Sequence, residues 1–149
     1  MEAKLYNGLA LAYIGDSVYE LYIRKYLLSL GLTKVNELHK HAIKYTSGES
    51  QAKVIRYFKS KGILNDEEME YYKRGRNSSV PKVRKNIQRI DYLEGTGFES
   101  LIGYLYLSSK TDRMYELMEY SIKIIEVGDD CHEEKWKKWK SRRWRARIW

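Results

Sequence analysis

Proline occurs once in these 149 residues, at Pro81, and elsewhere apolar residues recur at spacings of three and four. That period follows one face of an α-helix, whereas a half-buried strand needs strict alternation. The chain therefore reads as all-α. The glycines punctuate it. A first helix runs from about Asn7 to Leu30 and stops at Gly31, a second covers Glu37–Tyr45 with Asn36 as N-cap, and a third runs from Ser47 or Gly48 to Lys61 before Gly62. Asn65 with Glu68 three residues on gives a capping-box start to a fourth, which Gly75 closes. Asn77 to Tyr92 contains Ser78, Ser79 and Pro81 among Lys82, Arg84, Lys85 and Arg89 and has little period, so it reads as a long basic loop, a type more often functional than idle. Thr96 and Glu99 open the next helix, GFESLIGYLYLSS, whose apolar surface on nearly every side implies a central position. Asp112 starts the last, with Met114, Leu117, Met118, Ile122 and Ile125 as its core stripe and Gly128 as its stop.

A chain of this size holds one compact domain. No apolar run approaches the roughly 20 residues that span a bilayer, and MEAKLYNGLALAY lacks the basic start and cleavage site of a signal peptide. The lone Cys131 excludes an internal disulfide framework, so a cytoplasmic protein is expected. Residues 135–149 hold eight Lys/Arg and no acid, which accounts for the whole net charge of +8. The expected division is a neutral body over 1–128 and a linker with a basic, Trp-rich tail over 129–149. Nucleic-acid binding by the body must then rest on local clusters, not on overall charge.

Leu9–Glu20, LALAYIGDSVYE, sets a carboxylate among apolar neighbours in mid-helix, directly after a glycine. An unpaired carboxylate there is costly unless it meets a cation or a donor, and a mid-helix glycine costs about 1 kcal/mol relative to Ala unless a second backbone packs against it. Glu99 repeats the pattern, with Gly97 and Gly103 nearby. If the two helices cross at their glycines, Asp16 and Glu99 converge and can hold Mg²⁺, which takes one or two carboxylates plus waters and phosphate oxygens. Glu20, one turn after Asp16, lies on the same face as a supporting group or outer ligand, and Thr96 supports Glu99. The alternatives are structural: Thr96-x-x-Glu99 is also a capping box, and Asp16 can pair with a buried Arg or cap a neighbouring helix.

Lys73-Arg74-Gly75-Arg76-Asn77 either clamps phosphates or decorates a helix C-terminus with cations that suit its dipole. His39 and His41 face different ways, and Asp129–Glu134 lies in a linker, so neither reads as a metal site. The tail interleaves Trp136, Trp139, Trp144 and Trp149 with cations. This pattern suits RNA stacking, an anionic membrane surface or a solvated segment; the rest of the chain favours RNA.

Together the two acid-bearing stretches resemble the ribonuclease III family. Ile14-Gly15-Asp16-Ser17-Val18 is similar to its Leu-Gly-Asp-Ser/Ala-Val run, and Phe98-Glu99-Ser100-Leu101-Ile102-Gly103-Tyr104-Leu105-Tyr106 to its second motif. Leu9–Asp16, Leu38-His39-Lys40, Arg74-Gly75-Arg76-Asn77, Lys85-Asn86 and Thr96-Gly97-Phe98-Glu99 resemble the Mini-III subfamily, which has the endonuclease domain without a double-stranded-RNA-binding domain. The resemblance spans Asn7 to Ile125 and leaves out the tail. Full-length relatives place further acids where this chain has Leu9, Ala12 and Thr96, so only Asp16 and Glu99 carry over as catalytic and metal-binding acids. It implies a dimeric, ribonuclease III-like helical fold, with Mg²⁺ as cofactor and Mn²⁺ as its substitute. It further implies cleavage of double-stranded RNA to 5′-phosphate and 3′-hydroxyl ends, in maturation of the 23S ribosomal RNA precursor. The implied RNA grip is Lys73, Arg74, Arg76, Asn77, Lys82, Arg84, Lys85 and Arg89, since A-form RNA is read through shape, phosphates and 2′-hydroxyls. A homodimer interface is expected from the apolar face of the first helix, a ribosomal protein or the pre-ribosome is a candidate partner, and no membrane is expected. The competing reading is a non-catalytic protein that binds double-stranded RNA, motivated by the missing acids and the basic tail.

Overall fold

The computed structural model describes residues 2–78 and 89–128, and every regular element among them is helical. After a 3₁₀ turn at Ala3–Leu5 come α1 (Gly8–Ser29), α2 (Val35–Thr46), α3 (Gly48–Ser60), α4 (Asp66–Arg76), α5 (Arg89–Leu107) and α6 (Thr111–Val127). Lys82, Arg84, Lys85 and the Trp-rich tail lie outside the described residues.

The central helix is α5, as its all-round apolar character requires. It packs on α1, α3, α4 and α6 and is buried almost continuously from Glu94 to Leu105. The core it organises includes Leu11, Tyr19, Ile23, Ile55, Phe58, Leu101, Leu117 and Ile122. Tyr19 meets Phe98 edge-on at 5.0 Å between ring centroids, and Tyr71 stacks on Tyr104 at 3.5 Å. Of the last helix's expected stripe, Met114, Leu117, Met118 and Ile122 are fully buried and Ile125 is half-buried.

The caps explain most boundaries. Asn7 accepts from the Ala10 N–H at 2.8 Å, Ser47 accepts from Ser50, and Asn65 and Glu68 form a reciprocal capping box. Glu68 also receives Arg113 through two N–H groups, at 2.8 and 3.0 Å, which ties the start of α4 to α6. Gly31, Gly62 and Gly128 follow their helices with positive φ, the backbone state that suits glycine at a stop.

Three boundaries depart from the sequence reading. α2 begins at Val35, so Asn36 lies inside it and does not cap it. Gly75 does not end α4, which continues to Arg76. A Cβ at Gly75 would stand 2.4 Å from the Ser100 Cβ and 2.8 Å from the Thr96 carbonyl oxygen, so that glycine is a packing surface. Thr96 and Glu99 do not open a helix, because α5 already begins at Arg89 and both lie in its interior. The basic loop is correspondingly shorter at its C-terminal end.

Candidate active site

The site is made by two backbones in contact. A Cβ on Gly15 would fall 1.8 Å from the Glu99 carbonyl oxygen, and a Cβ on Gly103 would fall 1.9 Å from that of Leu11. Each helix thus uses a glycine to admit the other's backbone. Asp16 follows Gly15 directly and Glu99 is one turn before Gly103, so the crossing sets the two carboxyls face to face, within hydrogen-bonding reach. With Thr96 in mid-helix, its hydroxyl donating to the Tyr92 carbonyl at 3.0 Å, the capping-box account of Glu99 falls away.

The electrostatics follow from this geometry. Burial, and then the charge of Asp16, pushes the Glu99 carboxyl up to about 8, with the Gln51 amide offsetting part of the rise. Asp16 is raised as well, by burial and then by Glu20, against a lowering hydrogen bond with Glu99. Two adjacent carboxyls in a partly desolvated site cannot both ionise cheaply at neutral pH unless a cation joins them. Among the described residues no cluster of three or more His, Cys, Asp and Glu forms a candidate cage. A pair of adjacent carboxyls, raised by burial and by neighbouring acidic charge, is a donor set suited to an ion that completes its shell with water and phosphate oxygens, as Mg²⁺ does.

Around this pair, Glu20 lies on the Asp16 side and accepts from Arg24 at 3.1 Å. Lys73 and Arg89 are exposed at the end of α4 and the start of α5, and Asn77 is exposed at the α4 C-cap. Arg74 donates to the carbonyls of Lys4 and Tyr6 and to Glu70, and its guanidinium lies 4.5 Å from the Tyr71 ring centroid. Arg76 donates to Glu94 at 2.7 Å. Those two arginines hold the α4 terminus in place while their remaining surface faces outward.

Two polar residues escaped the sequence reading. Glu94, buried in α5, accepts from Tyr72 at 2.6 Å, Arg76 at 2.7 Å and Lys59 at 3.0 Å. Burial alone would raise its carboxyl, but these hydrogen bonds more than offset that and hold it below the usual carboxylate range. Gln51, on the first turn of α3, is buried beside Glu99. Both were visible as polar residues on otherwise apolar stripes: Gln51 with Val54, Ile55 and Phe58, and Glu94 with Phe98, Leu101 and Leu105.

The ribonuclease III domain family matches residues 9–110, which includes both acids and both glycines of the crossing. The chain belongs to the ribonuclease III family. A Mini-ribonuclease 3 of Enterococcus faecalis is 48% identical over 122 residues, covering 82% of this chain and 92% of that protein. A Mini-ribonuclease 3 of Streptococcus pneumoniae is 40% identical over 126 residues, covering 85% of this chain and 98% of its own length. A crystal structure of a Fusobacterium nucleatum protein superposes with a TM-score of 0.70 at 30% identity, over 79% of this chain and 93% of that one. Membership makes the chain an endoribonuclease of RNA processing, in a family that acts on double-stranded RNA. No helix among the described residues is long and apolar enough to cross a membrane.

Proposed function

We propose that the protein is a Mg²⁺-dependent endoribonuclease that trims the 23S ribosomal RNA precursor as a homodimer, with Asp16 and Glu99 as its metal-binding and catalytic acids. The convergence of the two carboxyls at the α1–α5 glycine crossing carries this reading. When bound, the ion supplies charge neutralisation at the phosphodiester and a water acidic enough to attack at neutral pH. Asp16 and Glu99 would hold it in their ionised forms, any proton on the pair passing to solvent. Glu20, whose charge raises Asp16, acts as an outer ligand whose repulsion a cation relieves, and Thr96, one turn before Glu99, is the supporting residue on that side. Lys73, Arg74, Arg76, Asn77, Lys82, Arg84, Lys85 and Arg89 grip the phosphates of the duplex. Attack of water on phosphorus breaks the P–O3′ bond; the 3′-oxygen departs on its own strand and takes a proton from solvent, which leaves 5′-phosphate and 3′-hydroxyl ends.

The homodimer reading is supported by α1, which leaves Leu9 and the 81%-exposed Tyr13 one turn apart on its surface, with Leu21 and Leu28 further along. Large apolar side chains left in water along one helix mark an interaction surface. In this reading residues 1–128 are the catalytic body, and the tail over 129–149 adds RNA contacts. A ribosomal protein or the pre-ribosome fits as a further partner.

The test is one gel of end-labelled RNA duplex with wild type, Asp16→Asn and Glu99→Gln, with and without Mg²⁺. Wild type is expected to cut only with the metal, and both variants are expected to bind the duplex uncut. Cleavage by either variant at the wild-type rate would refute the assignment. Binding without cleavage by the wild type in Mg²⁺ and Mn²⁺ would favour a purely RNA-binding protein.

A further inference from the structure

Gln51 is 2% exposed, and among the described residues its Nε2 is the one buried side-chain nitrogen or oxygen that completes no hydrogen bond, although the amide lies close enough to the Glu99 carboxyl to lower it. A buried donor left without an acceptor is costly, and native proteins keep few of them. Local hydrogen bonds hold this one in place. Ser47 caps the Ser50 N–H, the Ser50 hydroxyl donates to the Lys44 carbonyl at 2.6 Å, and Gln51 follows on the same first turn of α3. A Cβ on Gly95 would lie 3.0 Å from the Gln51 Oε1 and 3.7 Å from the Gly48 Cα, so the absence of a side chain there lets the start of α3 sit directly on α5. This wedges Oε1 against the α5 backbone and leaves the amide beside the Glu99 carboxyl.

We infer that Gln51 is a positioning residue for Glu99, its Nε2–H donating to the Glu99 carboxylate once that carboxylate holds a divalent cation. The inference rests on the metal reading above. A carboxylate that ligates a cation keeps oxygen lone pairs free, and an ionised carboxylate oxygen is a strong acceptor for a neighbouring amide N–H. Binding the ion therefore satisfies the orphaned donor, and the donor fixes which way Glu99 points. Groups behind a metal ligand typically change metal affinity or activity 10- to 100-fold when removed. The opposite amide orientation would set Oε1 against the ionised carboxylate and oppose binding, so the direction of the effect is fixed.

The experiment uses Gln51→Met, which keeps length and volume but has no donor, with Gln51→Leu as a second variant. Free Mn²⁺ is titrated by electron paramagnetic resonance against the full chain without RNA, and thermal melts are run in EDTA. The expected result is Mn²⁺ affinity weaker by ~10- to 100-fold, with a metal-free Tm equal to or above wild type, because an apolar group replaces an unsatisfied donor. A merely structural residue gives the reverse: a lower Tm and unchanged Mn²⁺ affinity. That result, any other combination in Gln51→Met, or failure of both variants to fold overturns the inference. Asp16→Asn separates the two levels. If wild type binds Mn²⁺ no better than Asp16→Asn, the metal reading itself fails; if Asp16→Asn loses the ion while Gln51→Met retains full affinity, the role of Gln51 alone fails.

Discussion

Replacing Glu99 by Gln should change how stability depends on pH in the metal-free protein. In the folded chain burial and the neighbouring Asp16 push the Glu99 carboxyl up to about 8, against an ordinary 4.5. Between those values the folded state keeps a proton that the unfolded state has lost, so stability falls as pH rises through the window. Each pH unit in the middle of it costs about 1.4 kcal/mol, and the loss from pH 5 to pH 8 is about 3 kcal/mol. For a domain of this size that is about 10 °C in Tm. Glu94 does not confuse the measurement. Its carboxyl is held low, so its contribution is present above the ordinary value and is lost only as pH falls below it. The assay is thermal or urea unfolding in EDTA at pH 5, 6.5 and 8, at one protein concentration. Wild type should lose stability across the series and regain it at pH 8 when Mg²⁺ is added, while Glu99→Gln should be nearly flat and insensitive to Mg²⁺. Parallel slopes for the two proteins would refute the account of a shared, partly buried carboxyl pair.

Other perturbations test the frame around the pair. Asp16→Asn removes the charge that helps to raise Glu99, so its pH slope in EDTA should lie between those of wild type and Glu99→Gln. Gly15→Ala gains about 1 kcal/mol of helix propensity, but its Cβ would meet the Glu99 carbonyl oxygen at 1.8 Å. A net loss of about 3 kcal/mol and of RNA cleavage is expected from melts and the gel assay, and a wild-type Tm would contradict the crossing. Arg113→Ala strands the buried Glu68 carboxylate and should cost about 3 kcal/mol in urea unfolding while leaving Mg²⁺ affinity unchanged.

The two acids and the crossing glycines were legible because each broke a local rule within an apolar helix, and such breaks are expected where function overrides stability. Gly31, Gly62 and Gly128 were legible as stops. In sequence Gly75 reads as a stop, Gly97 groups with Gly103 at the α1 crossing although it packs on Tyr72, and Gly95 goes unread. Glycines that end a helix and glycines that admit a neighbour look alike there. A Cβ at Gly97 would stand 2.6 Å from the Tyr72 ring, and one at Gly95 would press on Gln51. In α5 the helix-propensity cost of these glycines yields to close packing with α3 and α4, which is why that helix begins seven residues before Thr96. Arg74 and Arg76 show a related limit. Their type fits an RNA grip, but only three dimensions reveal that Tyr6 and Glu94 also hold them.

The central claim is that residues 16 and 99 share a divalent ion. Crystals grown with Mn²⁺ and measured at its absorption edge test it directly. The expected result is an anomalous peak between the Asp16 and Glu99 carboxylates. A peak elsewhere would contradict the account.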